Sequence, residues 1–116
     1  MVSKELLSEV LECNISHIIT DIQIIRNKLS GSCGDNEIAY YDNKWNYLNI
    51  YELANKVKEW ARYYYSVSSY PTYFGYGAKL TDSFGNSPKN LVISKKTEPE
   101  AIFRAGEFIL KELNNG

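Results

Sequence analysis

The chain is short of most of the residues from which active sites are built. It has one histidine, His17, and two cysteines, Cys13 and Cys33, in 116 residues. Two cysteines do not make a disulfide framework. Cys13 and His17 have the i,i+4 spacing that would put two ligands on one helix face, but a structural zinc site needs four, and Cys33 would supply only a third. A Cys–His pair without an orienting third group is also a poor nucleophile. Lys and Arg number 13 against 14 Asp and Glu, for a net charge of −1. A generally basic nucleic-acid binder is thereby excluded, although a local basic patch is not. There is no charged-then-apolar leader and no apolar run of membrane-spanning length. The expectation is a reduced, cytoplasmic protein without cofactors, metals or a membrane partner. No phosphate loop is present either. Gly75-Tyr76-Gly77 has neither the strand-loop-helix context nor the following Lys-Ser/Thr that such a loop requires.

Tyrosine is abundant. Of ten, six fall between Tyr63 and Tyr76. An apolar ring with a polar tip suits strands as well as interfaces. A hydrophobic fraction of 44% is enough for one core.

The periodicity predicts an α+β chain. Leu7, Leu11, Ile15, Ile18, Ile22, Ile25 and Leu29 recur at three- and four-residue steps, which predicts a long N-terminal helix over 3–29. Asn14 and Asp21 also fit a heptad register, so a homodimer through this helix is one expectation. The domain reading is an N-terminal helix over 1–30, a linker over 31–36 and a small α+β domain over 37–116. In that domain, 37–41 and 45–48 flank Asp42-Asn43-Lys44 as a short hairpin. Asn49 and Glu52 have capping-box spacing and open an amphipathic helix. Strands are expected within 63–70, 73–81 and 90–95. Thr97-Glu98-Pro99-Glu100 then opens a last helix reaching about Leu113. The order from Asn49 is α-β-β-β-α with an antiparallel sheet. If the long helix covers the second sheet face, the result is a three-layer α/β/α sandwich.

The candidate residues follow from this layout. Glu98 and Glu100 are explained by a helix N-terminus, where negative charge is favourable, and no catalytic constellation is evident, so the chain reads as non-enzymatic. Gly75 and Gly77 share one strand face. Such glycines mark close approach of another group, or aromatic rings lying over them. Tyr64, Tyr73, Lys79 and Val92 could border them, which makes this face the candidate protein-binding surface. Gly106, mid-stripe in the last helix, predicts close approach of that helix to the sheet. Glu107 and Lys111 read as a solvated i,i+4 pair.

Two resemblances attach to 49–113. Helix–strand–strand–strand–helix is similar to the double-stranded RNA-binding domain. There a Lys-Lys pair opens the last helix and a Glu on the first touches the minor groove. Lys95, Lys96 and Glu52 stand in similar places, which implies RNA binding as the alternative. The chain departs from that family at Glu98-Pro99-Glu100, and only Pro71 matches its Gly-Pro-His loop. Thr97-Glu98-Pro99-Glu100-Ala101-Ile102-Phe103-Arg104-Ala105, after Asn49-Ile50-Tyr51-Glu52-Leu53-Ala54, resembles small phage and prophage proteins of the ABA-sandwich type. That resemblance implies a bacterial or phage cytosolic protein without known catalytic activity; the expectation is an interaction protein binding another macromolecule, with inhibition of a host or defence protein as one version.

Overall fold

A computed structural model describes the chain over residues 2–20, 36–88 and 93–115. The first helix, α1 (Lys4–Leu11), begins at Ser3, whose Oγ accepts from the Leu6 N–H at 3.0 Å. It ends one residue after Leu11, because Glu12 turns into the left-handed region with φ 54°. The backbone then enters β1 (His17–Thr20). The expected helix over 3–29 is therefore corrected to eight residues. The β-branched run Ile18-Ile19-Thr20 pairs in register with β2 (Asn36–Tyr41) instead of continuing the turns. A three- and four-residue apolar spacing in a β-branched stretch is as compatible with a strand as with a helix. Expectations for 21–35, including Asp21, the rest of the long helix, Cys33 and most of the linker, lie outside the described residues.

The hairpin from β2 to β3 (Lys44–Asn49) is as expected, one residue longer at each outer end and at Lys44. Asp42 and Asn43 both have positive φ, 53° and 61°. That is the type I′ geometry that matches strand twist, and Asp and Asn tolerate it. Asn49 leaves β3 and caps α2 (Ile50–Ala61), its Oδ1 accepting from the Tyr51 and Glu52 N–H groups at 3.0 and 3.2 Å. Leu53, Ala54, Val57 and Ala61 form the buried stripe of α2.

A second antiparallel sheet follows, β4 (Ser66–Thr72), β5 (Gly75–Thr81) and β6 (Ser94–Lys95), in that order. The last helix, α3 (Glu98–Asn115), starts at Thr97, whose Oγ1 accepts from the Glu100 N–H at 3.3 Å. α3 is the centre of the molecule. Ala101, Ala105 and Ile109 face the second sheet, packing with Ala78, Leu80 and Ile93. Ile102, Phe103 and Leu110 face the other way, into a core with Leu6, Leu7, Leu53 and Val57. A helix buried over so wide an arc needs small residues on one side to approach a sheet closely, which is the role of Ala101 and Ala105.

Gly106 does not meet the sheet. A Cβ placed there would lie 2.8 Å from Val57 Cγ1 and 2.9 Å from Leu6 Cδ2. The close approach is helix to helix, where α3 meets α1 and α2. α1 thus packs on the helix side of the second sheet, against α2 and α3. It is not the outer layer of a three-layer sandwich. Leu6 and Leu7 are fully buried in this core, each contributing about 2 kcal/mol of transfer free energy. Of the heptad positions, Leu7 is buried in this core, Leu11 packs partly against it, and Asn14 lies outside the helix.

Candidate functional site

The outer face of the second sheet follows from strand register. Ser66, Ser68, Tyr70 and Thr72 of β4 stand opposite Thr81, Lys79, Gly77 and Gly75 of β5. Cross-strand partners share a face, and the alternate set, Val67, Ala78, Leu80 and half-buried Tyr76, packs into the α3-side core. The outer face is therefore mostly hydroxyls, with Lys79 exposed among them.

Both glycines of this face have physical causes. Gly75 has φ 153°, and a Cβ there would strike the carbonyl oxygen of Lys95. Gly77 lies under the ring of its cross-strand partner, for a Cβ there would be 2.5 Å from Tyr70 Cζ. Pairing of Thr72 with Gly75 leaves only Tyr73 and Phe74 to close the hairpin. These two rings are 92% and 84% exposed and meet edge to face, centroids 4.8 Å apart.

Tyr73, Gly75, Gly77 and Lys79 lie on one hairpin, Tyr73 at its tip and Lys79 opposite Ser68, four residues along β5 from Gly75. The hairpin does not include Tyr64. That residue precedes β4, its ring packs against Trp60 at 5.7 Å, and β4 carries the chain about 20 Å away before Tyr73 is reached. Val92 lies outside the described residues, as do 90 and 91 of the expected third strand. Tyr70 and Phe74 were missed because the strand was expected to start at Tyr73. The sequence signal was the Gly75 that follows two aromatics, which marks the turn and so fixes Tyr70 opposite Gly77.

The alternative set is laid out differently. Glu52 is exposed in the first turn of α2. Lys95 stands opposite Tyr76 and Lys96 follows it, both exposed. Immediately after them come Glu98 and Glu100 in the first turn of α3.

The Cys13–His17 pair is corrected. The two do not share a helix. His17 opens β1 and sits in register with Tyr40, which sits in register with Trp45. The three rings form a cluster, with centroids 6.4, 6.4 and 5.2 Å apart. Periodicity read as helix hid this row across the first sheet. The free thiol of Cys13 is half-buried. Burial pushes its pKa up, and the Asp42 carboxylate adds to the rise. Burial likewise raises the Tyr41 hydroxyl, helped by Cys13 and Asp42. Among the described residues, no three His, Cys, Asp or Glu side chains gather as a metal site would require. No described helix is long and apolar enough to cross a membrane.

No protein-family model, curated protein or solved structure matches the chain.

Proposed function

We propose that this is a non-enzymatic interaction protein, phage- or prophage-like and cytoplasmic, that engages a protein partner through the β4–β5 hairpin. The observation that carries the reading is the Tyr73–Phe74 pair. Two large rings stand at the tip of a tight turn, nearly fully exposed, with no share in either core. Burying each on a partner contributes about 2–3 kcal/mol before ordering costs. Gly75 fixes the turn against β6, and Tyr70 over Gly77 stiffens the strand behind it. A rigid aromatic tip loses little conformational freedom on binding, as protein-binding anchors require. The hydroxyl-rich face beside it, with Lys79, supplies the polar rim. Inhibition of a host or defence protein by covering its surface is the version suggested by the phage-type resemblance.

RNA is the less favoured partner. Lys95 and Lys96 are exposed, but Glu98 and Glu100 stand within the next turn and oppose their field. A two-residue turn bearing two aromatics also departs from the Gly-Pro-His loop of that domain family.

The test is a photo-crosslinking amino acid placed at position 73, with position 113 on α3 as control. The reading expects one protein crosslinked from 73 and not from 113. Equal crosslinking from both, or crosslinking to RNA alone, refutes it.

A further inference from the structure

We propose that the groove where α1 ends against Trp60 and Tyr64 binds an arginine side chain presented by a protein partner. The groove is about 740 Å³, and its walls are chemically opposed. On one side stand the carboxylates of Glu9 and Glu12, both exposed. On the other stand Trp60 and Tyr64, rings 5.7 Å apart and tilted by 60°, with Tyr63 beside them at 88% exposure. No Lys or Arg lines it among the described residues.

The acidic wall is placed against the stability of its own helix. A helix C-terminus carries partial negative charge and favours cations. α1 has none in its last turn. It has Glu9 there instead, and Glu12 at the C-cap. Glu12 also takes the left-handed conformation, φ 54° and ψ 42°, that glycine or asparagine normally fills. The left-handed turn at Glu12 is closed by the Cys13 N–H, which donates to the Ser8 carbonyl at 3.2 Å, and both carboxylates line the groove.

The occupant follows from the pairing of carboxylates with aromatic rings. A guanidinium is planar, stacks on an aromatic face, and presents its N–H groups as a fork to carboxylates. An ammonium offers only a point charge. The proposal uses no feature of the β4–β5 hairpin, so either can fail without the other.

The experiment is an NMR titration of the full chain at low salt, in a Trp45→Phe background so that the Trp60 indole N–H is unique. The probes are acetyl-arginine amide, its neutral citrulline counterpart, acetyl-lysine amide and tetramethylammonium. Saturating shifts of the Trp60 indole and the Cys13 amide are expected with the arginine probe. The citrulline probe should give none, and lysine should bind more weakly. Glu9→Gln/Glu12→Gln, which leaves the core untouched, should weaken arginine binding at least tenfold without lowering the melting temperature. Tyr73→Ser/Phe74→Ser should leave the titration unchanged. No saturable shift, an equal response to citrulline, or tighter binding of tetramethylammonium than of arginine would overturn the proposal.

Discussion

The Glu107 carboxylate holds Ser3 by two hydrogen bonds, accepting from the Ser3 N–H and from its hydroxyl, each at 2.9 Å. The expected solvated pair of Glu107 with Lys111 thus gives way to a tie between the start of α1 and the middle of α3. The same hydroxyl accepts from Leu6 N–H, so one side chain both caps α1 and docks it. Ser3→Ala removes both functions and should cost about 1–2 kcal/mol in denaturant unfolding. Ser3→Thr should stay close to the parent.

Gly106→Leu should destabilise the protein by about 2–3 kcal/mol, because the added side chain enters the space of Val57 and Leu6. Val57→Ala in the Gly106→Leu background should recover part of the loss. Recovery by a helix residue, and none by a sheet residue such as Ala78→Gly, would show which neighbour Gly106 admits.

Substitutions at the two hairpin glycines should differ in cost. Gly75→Ala meets backbone, the Lys95 carbonyl, at a φ that side chains avoid. A loss of about 1–3 kcal/mol is expected, with faster amide exchange where β6 pairs with β5. Gly77→Ala meets only the far end of the Tyr70 ring, which can swing outward. It should cost less than Gly75→Ala, and its effect should shrink further in Tyr70→Ala.

The Tyr65 hydroxyl donates to Glu112 Oε1 at 2.8 Å. That bond raises the tyrosine pKa above its usual 10, with burial and then the charges of Glu112 and Asp82 adding to the rise. The neutral form is the one the fold favours. Its contribution is therefore complete below pH 10 and is lost as the pH rises through the raised folded value. Tyr65→Phe should cost about 1 kcal/mol near neutrality. The difference between parent and variant should hold constant up to about pH 9 and shrink above 10. A difference that grows with alkalinity would contradict the assignment.

The parts of the fold legible in the sequence are those with local causes. Asn49 caps α2 because its side chain reaches two N–H groups in the next turn. Asp42-Asn43 turns the first hairpin because both residues tolerate positive φ. Thr97 opens α3 in the same way as Asn49 opens α2. The N-terminal segment was misread because Leu7, Leu11, Ile15 and Ile18 keep a helical spacing through a point where the backbone turns at Glu12. Only pairing with β2, a long-range contact, decides in favour of a strand there. Gly106 was legible as a close approach but not as to what, since α3 is buried on two sides and one stripe cannot say which side meets helices. At the candidate site, alternation alone groups Tyr73, Gly75, Gly77 and Lys79 on one strand face. Tyr70 depended on register, and register depended on a two-residue turn.

Affinity capture from bacterial lysate, with the parent chain beside Tyr73→Ser/Phe74→Ser, tests the hairpin reading most directly. Both would be matched for melting temperature and run with and without nuclease. The account predicts a protein captured by the parent and lost by the variant. Equal capture by the two, or capture that disappears with nuclease, would contradict it.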